Sequence, residues 1–168
     1  MALYGDRARN FRYEVRNEAE QSVKELNIDR ANFHEAPKNE WESVIKRFYY
    51  TFIDREYSSK ITLNCLWLRF RSDLCYTGHI QNGIHTADWT EFVGRIDGLI
   101  PKEDRPREYY YINDLGWVYE GKLPEIIQVL GDCSNMIEDF YILPKRERFD
   151  WVVCYCGDGD SMGIYLRG

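Results

Sequence analysis

Trp151-Val152-Val153-Cys154-Tyr155-Cys156 carries no charged side chain at any position. Successive side chains of an extended chain point to opposite faces, so this run is apolar on both. Such a strand needs a neighbour on each edge and cover on each face, as the central strand of a sheet has. The rest of the chain must supply both.

Cover comes first from the N-terminal third. Ala8, Phe11, Val15, Ala19, Val23 and Leu26 recur at intervals of three and four. Trp41, Val44, Ile45, Phe48 and Phe52 fall at i, i+3, i+4, i+7 and i+11. Both are the apolar stripes of amphipathic helices, and Pro37 suits the entry to the second. A short helix with Trp89, Phe92, Val93 and Ile96 on one face follows, with Thr86 as its expected N-cap. Pro124 opens another that ends near Gly131.

Neighbours come from the segments between. Residues 63–70 and 73–80 read as a hairpin, followed by a tight turn at Asn82-Gly83. Residues 108–112 and 117–120 flank the turn Asn113-Asp114-Leu115-Gly116. Residues 139–143, 150–156 and 163–166 read as a three-stranded antiparallel meander, whereas 101–107 form a solvated loop. The pattern implies one α+β domain over residues 1–168, helical over 1–58 and hairpin-rich over 59–168. Its mainly antiparallel sheet of about six to seven strands packs against N-terminal and inserted helices.

Charge excludes several functions. Lys and Arg number 22 against 28 Asp and Glu, a formal net charge of -6. Phosphate neutralisation needs a basic field, so neither nucleic acid nor an anionic membrane is an expected partner. No apolar run reaches the roughly 20 residues of a membrane span. The charged N-terminus lacks a signal-peptide core, which places the expected compartment in the cytoplasm. Cys65, Cys75, Cys133, Cys154 and Cys156 form an odd, irregular set, read as reduced thiols.

No motif names a reaction. Gly157-Asp158-Gly159-Asp160-Ser161-Met162-Gly163 resembles a calcium loop only until its fifth position, which is Met162. It reads as a glycine-rich turn whose Asp158 and Asp160 could meet a cationic partner. Cys154 and Cys156 share a strand face at about 6.7 Å along the chain, too far apart for one zinc, and no second ligand pair follows. Cys75 and His79 lie too far apart on one strand for a nucleophile and its base. His79 and His85 flank the Asn82-Gly83 turn and form the alternative polar site. His34 sits in a polar link between helices. Aromatic residues make 15% of the chain, and Tyr109, Tyr110 and Tyr111 stand in a row. If one sheet face packs on helices, at least one of these rings meets the wetter side, where tyrosine serves interfaces.

Asp139-Phe140-Tyr141-Ile142-Leu143-Pro144-Lys145, then Phe149-Asp150-Trp151-Val152-Val153-Cys154, resembles the ending of a set of small bacterial proteins. Some of those resemble immunity-type proteins that neutralise secreted toxins. The resemblance implies a bacterial protein more than any activity, and no cofactor is expected. In those proteins a His-His-Asp cluster often follows the Trp strand. Here Cys156-Gly157-Asp158-Gly159-Asp160 takes that place, so no histidine role carries over.

These observations give a non-enzymatic module presenting an acidic, aromatic surface (Asp158, Asp160, Tyr109, Tyr110, Tyr111) to a protein partner. No catalytic or metal-ligating residue is assigned, and a homodimer is left open. The alternative is a small enzyme drawing on His79, His85, Asp158 and Asp160 from separated segments.

Overall fold

The computed structural model describes residues 10–56, 69–133 and 138–168. The expected helix start at Ala8, most of the expected strand at 63–70, and Cys65 lie outside these residues. Along the chain, α1 (Asn10–Glu25) leads to β1 (Phe33–Glu35), α2 (Trp41–Phe52) and β2 (Cys75–Gln81). Two short helices follow, α3 (Trp89–Gly94) and α4 (Ile96–Leu99), then β3 (Tyr109–Asn113) and β4 (Val118–Gly121). The C-terminal third holds α5 (Leu123–Asp132), β5 (Asp139–Pro144), β6 (Trp151–Cys156) and β7 (Ser161–Leu166).

The described strands form one seven-stranded sheet in the order β1-β4-β3-β5-β6-β7-β2, antiparallel throughout. The fold is α+β. β6 takes the interior place its apolar faces require: Cys154 pairs with Tyr141 on one side and Gly163 on the other. β5, β6 and β7 form the expected meander. The bonds described for β2 go to β7, with Tyr76 opposite Tyr165.

Helices cover both faces. Against one, α1, α3, α4 and α5 pack Val23, Phe92, Val93, Ile96, Ile126 and Leu130 onto Tyr109, Tyr111, Tyr119, Phe140, Trp151 and Val153. Against the other, α2 lays Val44, Ile45, Phe48 and Phe52 on Tyr110, Ile112, Val118, Tyr141, Val152 and Cys154. The α2 stripe is the one its spacing predicts, and Phe48 meets Tyr141 at 4.9 Å between ring centroids.

This double cover corrects the expectation for the tyrosine row. Tyr109, Tyr110 and Tyr111 are 4%, 7% and 3% exposed. Alternation does send Tyr110 to the face opposite its neighbours, but α2 lies on that face, so no ring is left facing water. Two local readings also change. α3 is capped by Asp88, whose side chain accepts from the Glu91 amide at 2.8 Å; Thr86 is buried and bonds Asn82 instead. The polar link around His34 is itself a strand, β1, paired with β4 through His34 opposite Glu120.

The β1–β4 contact is close. A Cβ on Gly121 would strike the Asn32 carbonyl, which already accepts from the Lys122 amide at 2.8 Å. Gly94, at the end of α3, has open space around it. Gly121→Ala should therefore lose about 1–3 kcal/mol by forcing the two strands apart. Gly94→Ala should be neutral or gain up to about 1 kcal/mol from helix propensity. Chemical denaturation of the two variants beside the parent measures both.

Candidate functional site

Within the sheet, β4 breaks the apolar rule of an interior strand. Val118 and Glu120 share the α2 face, and Glu120 is 4% exposed. Its strand neighbours are His34 on β1 and Tyr110 on β3. Two residues beyond the pairing partner of Tyr110, Leu143, comes Lys145, just past the end of β5. Antiparallel register thus gathers His34, Glu120, Tyr110 and Lys145 onto one corner of one face.

Charges alternate there. His34 Nε2 stands 2.6 Å from Glu120 Oε1, and His34 Nδ1 stands 2.9 Å from the Arg30 carbonyl. Both ring nitrogens face acceptors, which holds the ring from two sides. Lys145 Nζ lies 3.2 Å from Glu120 Oε2 and 3.2 Å from Glu108 Oε2. It donates to Glu108. Glu120 Oε2 is fully buried and accepts no directed hydrogen bond.

The corner opens into a cleft beneath the N-terminal half of α2. The cleft holds about 320 Å³ and is lined by Asn39, Glu40, Ser43, Val44 and Arg47 of the helical side and Tyr110, Glu120 and Lys145 of the sheet. Arg47 is committed to the walls: Nη1 donates to the carbonyls of Arg146 and Glu147 at 3.0 Å each, and its guanidinium lies 4.5 Å from the Phe149 ring centroid.

Two groups of the cleft, Lys145 and Tyr110, are shifted upward. Burial works to lower Lys145, but its contacts with Glu108 and Glu120 outweigh that and raise it. Burial raises Tyr110 against the pull of Arg47 and Lys145. General acid–base work needs a proton exchanged near the working pH, and these two shifts run the other way.

The residues singled out by sequence lie elsewhere. Asp158 is exposed in the β6–β7 turn. Asp160 sits there at φ 46° and ties the turn, accepting from Tyr155 Oη at 2.9 Å and from Asn82 Nδ2 at 3.0 Å. The Asn82-Gly83 turn, with Gly83 at φ 77°, is thus drawn against the acidic one. His85 Nδ1 accepts from the Gln81 amide at 2.8 Å, and His79 bonds Tyr76 at 3.1 Å. The two histidines hold separate partners. His79 lines a second cavity of about 260 Å³ with Tyr76, Cys154, Cys156, Gly159, Ser161 and Tyr165. The expected acidic and aromatic residues do not form one exposed surface, because the tyrosines are interior. Among the described residues, no group of three or more His, Cys, Asp or Glu is placed to hold a metal ion, and no helix is long and apolar enough to cross a membrane.

His34, Glu120 and Lys145 match no sequence motif. The signal that could have found them is positional: a glutamate two residues after Val118, on a strand whose faces must both be covered.

A family model described as a family of unknown function (DUF6756) matches residues 11–167. No curated protein and no solved structure matches the chain.

The thiols give a pH dependence. Burial raises Cys133 from an ordinary 9.0 to about 11 and raises Cys154 and Cys156 in the same direction. An acid with a raised folded pKa keeps its proton longer in the folded than in the unfolded chain. The associated stability is present below the unfolded value and is lost as pH rises towards the folded one. The melting temperature should therefore fall as pH rises from 9.0 to about 11. Thermal unfolding followed by circular dichroism across that range checks it, and Cys133→Ala should flatten the slope.

Proposed function

The chain belongs to that DUF6756 family, and from the geometry of its cleft we propose that it is a non-catalytic binding module that engages a protein partner. One observation carries the reading. Glu120 is a carboxylate sunk into an interior strand and lining an open cleft, among groups whose shifts run against acid–base chemistry. Placing a charge in a strand otherwise built for the core breaks local consistency, and such breaks concentrate where function demands them. A cleft of this volume lies at the small end of ligand pockets, which span roughly 300–1,000 Å³. It suits one side chain of a partner better than a bulky cofactor.

Two further features support a protein partner. The C-terminal stretch resembles small bacterial proteins, some of which resemble immunity-type proteins that bind a protein partner, and a net charge of -6 steers encounter with basic surfaces. The binding residues are then those of the cleft. The acidic turn at Asp158 and Asp160 contributes to the long-range field.

Ser43 lies on the exposed side of α2 and lines the cleft, so a large side chain there fills the space without disturbing the core. Tagged parent and Ser43→Trp proteins should melt within a few degrees of each other. A partner captured by the parent from source cells should fall by about tenfold or more with the variant, as loss of an interface anchor requires. A partner held equally by both proteins, or turnover of a small molecule at the cleft, contradicts the reading.

A further inference from the structure

We propose that the cavity at the β6–β7–β2 end of the sheet is a second binding site, one that receives a small neutral aromatic molecule of one or two fused rings. It shares no lining residue with the cleft under α2 and goes beyond the binding-module reading.

Strand register makes the space. Cys156 pairs with Ser161 and Cys154 with Gly163, so four small residues lie together on one face of the sheet. Tyr76, Tyr165 and His79 stand around the depression they leave. Tyr76 pairs with Tyr165 across β2 and β7, and the two rings lie 4.6 Å apart between centroids. A Cβ on Gly163 would come within 2.5 Å of the Tyr76 ring, so the ring rests on the glycine. His79 Nδ1 holds the Tyr76 hydroxyl at 3.1 Å. What remains is an open space of about 260 Å³. An apolar cavity of about 150 Å³ takes one benzene ring, so this one has room for one ring or two. Tyr76 is 42% exposed and Cys156 is half-buried, so the space is reached from solvent.

The lining decides the chemistry of the occupant. Among the described residues it holds no Lys, Arg, Asp or Glu. Burial raises Tyr76, Tyr165, Cys154 and Cys156 alike, which keeps each in its neutral form at pH 7. An anion would meet no cation there, and Asp139 and Asp158 lie near enough to act on the thiols. A cation fares little better, because Asp139 accepts from the Gly157 amide, Asp160 from Tyr155 and Asn82, and Asp158 is in water. Either ion would give up its hydration without a partner. Two contacts favour a ring over an aliphatic group. Cys154 is 4% exposed, and among the described residues its thiol has no hydrogen-bond partner. Its S–H is a weak donor, of the kind that an aromatic face accepts. Tyr76 and Tyr165 offer ring surface for stacked or edge contacts, which add to plain area burial.

The test uses the purified chain and 2-naphthol, a neutral planar bicycle. Decahydro-2-naphthol keeps the skeleton without the planarity, and 2-naphthoate adds a charge. Calorimetry and the resonances of His79 and Cys156 follow binding. The parent should bind 2-naphthol saturably at pH 7. It should bind decahydro-2-naphthol about fivefold more weakly and 2-naphthoate about tenfold more weakly. Tyr76→Ala removes ring surface and should weaken 2-naphthol by about fivefold or more. Ser161→Leu fills the floor and should abolish binding. Ser43→Trp, in the other cleft, should leave it unchanged. Circular dichroism confirms that each variant is folded. If Ser161→Leu does not fold, Tyr76→Ala, at a half-exposed position, still decides.

No saturable binding of 2-naphthol by the parent overturns the proposal. Binding that survives both Tyr76→Ala and Ser161→Leu also overturns it, because the probe then sits elsewhere. Equal affinity for decahydro-2-naphthol contradicts the aromatic requirement, and equal affinity for 2-naphthoate contradicts the neutral one. Neither result alters the partner capture tested with Ser43→Trp, so the two readings stand or fall separately.

Discussion

Moving a carboxylate from water into the interior of a sheet costs several kcal/mol, and the cost is recovered only if cations and donors follow it. β4 imposes that cost with Glu120, and the corner around it is arranged by the answer. β1 lies against β4 with His34 directly opposite Glu120. Just past the Pro144–Tyr109 pair, the Lys145 amide donates to the Glu108 carbonyl at 3.0 Å, and this brings the Lys145 side chain within reach. Glu108, immediately before β3, then takes the other side of that ammonium. Three strands and a link are thus tied to one buried charge. An apolar residue at position 120 would have needed none of them.

The remainder of the molecule is governed by the opposite rule. After Asp139 at its first position, β5 is, like β6, apolar on both sides, and each face is roofed by helices. Aromatic rings do much of the filling: Phe48 on Tyr141, and Phe140 stacked on Tyr155 at 5.1 Å. Such rings contribute area together with specific edge and stacking geometry, which narrows the packings open to the core. A core closed this thoroughly leaves little polar surface within it. Two buried carboxylates break that rule among the described residues, Asp139 and Glu120, and Glu120 is the one that lines the open cleft under α2. We read the coincidence as the placement of a binding group on rigid strands, where its orientation is set by pairing and not by a loop.

How much of this the sequence carries depends on period. The α2 stripe from Trp41 to Phe52 and the two-sided apolarity of Trp151–Cys156 are local patterns, and the structure realises both as helix and central strand. The α+β class follows from their alternation. The tyrosine row misleads because alternation fixes only that Tyr110 opposes Tyr109 and Tyr111. Whether a face is wet depends on helices that arrive from elsewhere in the chain. β1 is three residues long, too short for any periodicity to register. The cleft is less legible still. His34, Glu120 and Lys145 are separated by 86 and 25 positions in sequence, and only the strand order β1-β4-β3-β5 brings them together. A glutamate after Val118 reads, on its own, as the wet end of a hairpin.

The central claim is that the charge on Glu120 is kept for recognition and not for stability. The unfolding free energy of a triple variant, His34→Leu with Glu120→Met and Lys145→Met, tests it most directly. Replacing a buried ionic network whole by apolar side chains of similar size is neutral or stabilising by about 1–4 kcal/mol when the network has no structural role. The account predicts that the triple variant is at least as stable as the parent in chemical denaturation. A loss of about 3 kcal/mol or more, of the size seen when a needed buried pair is broken, would contradict it and make the cluster a staple of the sheet.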